Sequence, residues 1–149
     1  MGIQVKIKGV DTLQARLERL KNVDPALVAA INQSTALVSR RAKGRCPVDT
    51  GALRASIHTK PADTEDGGKT ITGVVYTAKE YAMYVEFGTG KRGNGSYPYE
   101  IQNGPLAYKA DWPGQIAQPF MMPALLESKS EIHQIVHQAV QKAVLRKKG

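Results

Sequence analysis

The stretch R-C-P-V-D-T-G-A-L-R-A-S-I at positions 45–57 is where two patterns of different period meet, and it constrains the fold more than any other part of the chain. Before it, apolar residues recur at helical spacing; after it, the pattern becomes that of a strand. Pro47 has no amide hydrogen and prevents a helix from resuming. Gly44 sits where a helix end favours a left-handed residue. Asp49 offers a side-chain oxygen to the amides after it, as an N-cap or Asx turn, and Gly51 gives the turn its freedom. Leu53 and Ile57, four apart, can face one core. The stretch reads as a structural corner, built from Pro47, Asp49, Thr50, Gly51, Leu53 and Arg54, that lays a helix against a sheet. It contains no nucleophile with an attendant base.

The flanking patterns extend this reading. Ile3, Val5 and Ile7 alternate with polar residues and predict a short half-buried strand. Asp11 with Gln14 resembles a capping box, and Leu13, Leu17 and Leu20 share one helical face before Asn22 and Val23 close that helix. Asp24 followed by Pro25 is a strong helix start. The helix so begun should run to about Lys43, with Leu27, Ile31, Ser34 and Val38 as its stripe and Ala30 and Leu37 widening it. Arg40, Arg41, Lys43 and Arg45 crowd its C-terminal end. There they suit the helix dipole, and they also make a patch able to face phosphate or an acidic neighbouring subunit.

After the corner, 56–60 reads as a strand, 61–69 as a polar hairpin loop and 70–77 as the returning strand, rich in β-branched residues. The segment 80–87 permits a strand or a helix. The spacing of Tyr81, Tyr84 and Val85 favours a short helix, ended by Gly88-Thr89-Gly90. Pro123 opens a last helix whose apolar stripe is Leu125, Ile132, Ile135, Val136, Ala139, Val140 and Ala143. The fold class is therefore α+β: a small, mostly antiparallel sheet packed against a long helix, with a C-terminal helix. At 149 residues the chain is one domain with a core of adequate size.

A long loop spans about 88–118, and from Lys91 to Gln118 it has no periodicity. The chain has one Trp, six Tyr and two Phe, yet Tyr97, Tyr99, Tyr108 and Trp112 all lie in this loop. Disordered segments are poor in aromatics, so the loop reads as one that docks on a partner, with Tyr and Trp as interface anchors; the alternative is a loop that packs its aromatics onto its own domain. The formal net charge of +8 favours acidic partners or nucleic acid. A lone Cys46 fits a reducing compartment. No secretory signal and no apolar run of about 20 residues is visible, so the chain is expected to be soluble and made inside a cell, with no membrane partner.

Motifs with chemistry are few. Positions 88–93 read G-T-G-K-R-G, the dinucleotide-binding spacing, but the following Asn-Gly-Ser-Tyr-Pro cannot open the helix that would meet a pyrophosphate. His133 and His137 are four apart, without the glutamate base of a zinc-protease helix and without a third ligand. Asp49, Asp63, Glu65, Asp66, Glu80 and Glu86 form no recognisable catalytic pair, and Ser56 and Ser96 lack a base. The expectation is no enzyme, no metal and no cofactor. Basic charge with loop aromatics allows a second reading, a nucleic-acid-binding accessory protein, although no known recognition motif is present.

Three ordered blocks carry a resemblance. They are C-P-V-D-T-G-A-L-R-A-S-I at 46–57, Y-A-M-Y-V-E-F-G-T-G at 81–90 and Q-P-F-M-M-P-A at 118–124. Together the chain resembles the small tail-completion or neck proteins of long-tailed bacteriophages and prophages, known as minor tail components. The resemblance covers most of the chain and implies an α+β structural protein of the virion, assembled in the host cytoplasm. It implies a homo-oligomeric ring, such as a hexamer, at the head–tail junction or the top of the tail. The neighbours would be a tail terminator or tail-tube protein on one side and a head-closure or connector protein on the other. The basic residues would face passing DNA in the channel or acidic neighbouring rings. The interval between the second and third blocks is longer than the family pattern. Assembly contacts are expected at Glu86, Phe87, Gly88, Tyr97, Tyr99, Tyr108, Trp112 and Phe120, with Glu86 paired either to Arg54 or to a basic residue of a neighbour.

Overall fold

A computed structural model describes residues 1–6, 25–101 and 106–146. The expected helix carrying Leu13, Leu17 and Leu20 lies outside the described residues. Strand β1 (Gly2–Lys6) is followed by helix α1 (Pro25–Arg45), a single turn α2 (Ala52–Ala55), strand β2 (Ile57–Glu65), a 3-10 turn (Asp66–Gly68) and strand β3 (Thr70–Thr77). Two short helices, α3 (Ala82–Phe87) and α4 (Gly90–Gly93), and the long α5 (Met121–Arg146) complete the order. The sheet is fully antiparallel, in the order β1-β3-β2, with Ile3 opposite Val75 and Ile57 opposite Thr77. This is the expected α+β architecture.

Helix α1 contacts β2 and β3 as well as α5. Its approach to the sheet is set at Gly73, where a Cβ would lie 2.5 Å from Thr35 Cγ2 and 2.7 Å from Ile31 Cγ2. A side chain at that point of β3 would lift the helix off the sheet. Toward α5 the two helices run antiparallel. Arg45 pairs with Glu127 and Arg41 with Glu131, while Arg41 Nη1 also donates to the Glu127 carbonyl at 2.9 Å and to Ser128 Oγ at 3.0 Å. Two of the four cations at the end of α1 are thus matched by acids of the same chain. Many buried positions of both helices are small: Ala30, Ser34 and Ala42 in α1, and Ala124, Ser128, Ala139 and Ala143 in α5. Small residues let helix backbones approach closely, and two of the buried serines donate back to their own helices, Ser34 to Ala30 O and Ser128 to Ala124 O. The core gathers Val38, Ala42, Cys46, Leu53, Ile57, Val75, Ala82, Phe120, Met121, Ala124 and Ile132.

Several local expectations need correction. Gly44 is not left-handed; α1 continues through it, and the last such bond runs from Cys46 N to Ala42 O, 2.9 Å, before Pro47 ends the series. Asp49 is exposed and caps nothing. Gly51, at φ 81°, places the start of α2 at Ala52, so the side-chain oxygen within reach is that of Thr50, which accepts Ala52 N–H at 3.3 Å. Leu53 and Ile57 do face one core, and Arg54 is exposed. Strand β2 runs to Glu65 rather than stopping at Lys60. Pro61 is tolerated because the register shifts between Lys60 and Asp63, and the Ala62 amide there turns to Asn32 Oδ1 at 2.7 Å. Helix α5 opens at Met121, two residues before Pro123.

Gly73→Ala is expected to destabilise the fold by about 1–3 kcal/mol through overpacking against Ile31 and Thr35. A fall in the urea midpoint with the slope unchanged is the measurement; an unaltered midpoint would mean the helix can shift freely on the sheet.

Candidate functional site: an anchored aromatic loop

The site grows from α3. Ala82 and Glu86 are four apart and both buried, so the inward face of this helix carries one carboxylate; Met83 and Tyr84 are exposed on it. Glu86 is 2% exposed. Its Oε2 accepts the amides of Phe120 at 2.8 Å and Met121 at 2.9 Å, and its Oε1 accepts that of Met122 at 3.1 Å. An α-helix leaves its first four amides without an internal partner. In α5 these belong to Phe120, Met121, Met122 and Pro123. Glu86 takes three, and the fourth is a proline with no hydrogen to give. Negative charge at this end of a helix is further favoured by the dipole. That is why α5 can begin ahead of Pro123.

The loop that follows α3 is tied to itself and to α3. Val85 O accepts Gln118 N at 2.8 Å, and Thr89 and Gln115 exchange backbone bonds of 2.9 and 3.0 Å. Lys91 and Arg92 donate their amides to Trp112 O and Pro113 O, both at 2.9 Å. Ser96 Oγ donates to Gly93 O at 2.7 Å and accepts Ala117 N–H at 2.9 Å, while Tyr108 Oη donates to Phe87 O at 2.9 Å. The chains cross so closely that a Cβ on Gly114 would lie 1.9 Å from Thr89 O, and one on Gly90 would lie 2.4 Å from Trp112 O. The G-x-G-x-x-G spacing at 88–93 therefore serves backbone-on-backbone packing, since Gly88 and Gly93 would also clash with the loop.

The expected interface residues divide into three groups: Glu86, Gly88 and Phe120 are buried, Phe87, Tyr97, Tyr99 and Tyr108 are half-buried, and Trp112 is exposed. Glu86 and Phe120 lie inside the subunit; among the described residues Glu86 has no ion pair, with Arg54 or otherwise, because its oxygens are occupied by α5. Phe87, Tyr97 and Tyr99 are half-buried and stack edge to face, with ring centroids 4.8 and 5.4 Å apart along the series. Tyr97 Oη lies 3.5 Å from Glu86 Oε1, and burial, reinforced by that carboxylate, pushes its phenol well above the ordinary tyrosine range. Burial also raises the Tyr108 phenol and the Cys46 thiol, the latter with Glu86 adding and Arg54 opposing.

Trp112 is 52% exposed and joins Tyr81, Met83, Tyr84 and Ile116, which is 60% exposed, as large apolar side chains in water. Between α3 and the loop lies a groove of about 1080 Å³, lined by Tyr81, Met83, Tyr84, Tyr108 and Trp112 among others, with Lys109 and Asp111 as its charged walls. Of its α3 residues, Phe87, which also lines the groove, was among the expected contacts, whereas Met83 and Tyr84 were not. Their signal was available in the alternation of Ala82 and Glu86 with Met83 and Tyr84, once a helix was assumed. Among the described residues no group of His, Cys, Asp and Glu could hold a metal ion, and no helix is long and apolar enough to cross a membrane. His133 and His137 stand exposed on α5.

Residues 11–88 match the model of a family described as "Bacteriophage HK97-gp10, putative tail-component". No curated protein and no solved structure matches the chain.

Glu86→Ala leaves three helix amides without an acceptor and is expected to cost about 3 kcal/mol or more, with Glu86→Gln losing less because one oxygen remains. Chemical denaturation of both variants checks the order. Because the Tyr97 phenol is raised in the folded state, its contribution is intact below the ordinary tyrosine range and is lost as pH climbs through it. Tyr97→Phe should remove that part of the alkaline fall in thermal midpoint, whereas an identical pH profile would detach Tyr97 from it.

Proposed function

The chain belongs to the HK97-gp10-like family of bacteriophage tail components, and from that premise we propose that it is a structural protein of the head-proximal end of the tail, assembled there as a ring of identical subunits. The observation that carries this reading is the aromatic surface of α3 and the loop. It exposes Tyr81, Met83, Tyr84, Trp112 and Ile116 on a segment that hydrogen bonds and glycine contacts have already ordered. Order in advance lowers the entropy lost on association, and exposed aromatic clusters are what protein interfaces bury. A ring joins identical subunits through two different patches and closes by rotation. Above and below the ring, a head-closure protein and a tail terminator or tail-tube protein would be the neighbours. The role is one of joining, without catalysis.

A second reading, a nucleic-acid-binding accessory protein, draws on a basic and aromatic cluster of β2 and β3. Lys60 Nζ stands 5.3 Å from the Tyr76 ring centroid, with the His58 ring 6.0 Å from the same centroid. The two readings separate by salt, since duplex affinity carried by lysines and arginines falls steeply with ionic strength.

A C-terminal tag on the chain in a producing lysate, imaged by electron microscopy on purified particles, tests the first reading. Label at a single point at the head-proximal end of tails is the expected outcome. A chain absent from particles and recovered with nucleic acid would overturn it in favour of the second.

A further inference from the structure

The open groove and the most acidic part of the described surface lie at opposite ends of the β2–β3 hairpin. Ile57 and Thr77 form its open end, where Ile57 shares the core with Ala82 of α3, and Glu65 and Thr70 form its closed end. Eight residue steps separate them, roughly 25 Å at the rise of a strand. The closed end carries Asp63, Glu65 and Asp66, all exposed, against one nearby lysine, Lys69. The groove end carries Lys91 and Arg92, exposed on α4, and Lys109 on the groove wall, against Asp111. Among the described residues none of these charges belongs to an ion pair.

We propose that the closed end of the β2–β3 hairpin of one copy docks at the aromatic groove of a second copy, with Asp63, Glu65 and Asp66 facing Lys91, Arg92 and Lys109. The inference rests on the ring reading above and names its contact. Charge complementarity selects a second copy in a head-to-tail arrangement. A two-fold pairing of grooves would set Lys91 and Arg92 against themselves, and like charges across an interface cost several kcal/mol. Two unlike patches at opposite ends of the hairpin make a heterologous contact, the kind that closes rings. The charges set register and encounter, and burial of Tyr84 and Trp112 supplies the apolar part.

Two surface variants test it, Asp63→Lys/Glu65→Lys/Asp66→Lys and Lys91→Glu/Arg92→Glu, each checked for an unaltered melting profile. They are expressed in cells producing particles that lack the native chain. Each alone places like charges across the contact, at all of the basic positions for the first variant and at two of the three for the second, so incorporation into tails should fall by about tenfold or more. Coexpressed, they alternate with complementary charges at both contacts, and incorporation should return. A third variant, Asp66→Cys/Arg92→Cys, in purified tails exposed to molecular oxygen with a copper catalyst as the oxidant, should give a disulfide-linked ladder on a non-reducing gel, where either single cysteine gives none. Tails that incorporate each reversed variant normally, or that carry the double-cysteine chain without a ladder, overturn this contact and leave the tail role standing. Failure of the unaltered chain to enter tails removes the tail role itself, and this contact with it.

Discussion

A carboxylate on one short helix holds the end of a long one. Glu86 supplies both its oxygens to the amides of Phe120, Met121 and Met122, and Pro123 removes the remaining donor. Hydrogen bonds to an ionised acceptor contribute about 1.5–3 kcal/mol each, and an orphaned buried donor costs a comparable amount. The bond set therefore does more than decorate a helix end. It connects α3, six residues long and unable to stand alone, to α5, which packs along α1 for much of its length. Phe120 and Met121, both fully buried, are delivered to the core by the same clasp.

The middle of the molecule obeys a spacing constraint rather than a polar one. Helix α1 lies against the sheet through a position that admits no side chain, Gly73, and meets α5 where many buried residues are alanine or serine. The salt bridges of Arg41 and Arg45 run along the margin of that second contact and are partly exposed. Exposed ion pairs contribute little to stability, but opposite charges at matched heights favour the antiparallel register in which Glu127 and Glu131 meet the end of α1. The same pairing occupies two of the cations that, read alone, looked available to an outside anion.

Periodic features were legible in the chain: the strands, the long helices, the corner that turns Leu53 and Ile57 into one core, and the short helix before Gly88. Each depends on residues within a few positions of one another. What escaped depends on contacts between distant positions. Glu86 reaches residues more than thirty positions ahead, and nothing near it in the chain says that its partners are amides rather than an arginine. Pro123 looked like a helix start because the cap that permits an earlier one comes from elsewhere. The glycines at 88–93 matched a nucleotide-binding spacing, whereas their smallness answers to Gly114, Gln115 and Trp112 crossing over them. Pro61 suggested a loop because the register shift that accommodates it depends on Asn32 of α1.

The family match ends at residue 88, and the closure of the long loop explains how more chain can follow without loosening what precedes it. Glu86 and Val85 stand just inside the match, and both bind residues beyond it: Glu86 the start of α5, Val85 the amide of Gln118. The bridge of Thr89 with Gln115 then draws the two ends of the excursion together. Once the ends are held, added length costs only slowly increasing closure entropy, about 0.6 kcal/mol for each doubling of the loop. The stem inside that bridge is built of close backbone contacts that tolerate no side chain, while Trp112 and Ile116 project into water beside it. A rigid stem with an exposed crown separates two demands. The stem fixes the path from α3 to α5 through backbone contacts that leave no room for side chains, and the crown leaves Trp112 and Ile116 unburied within the subunit.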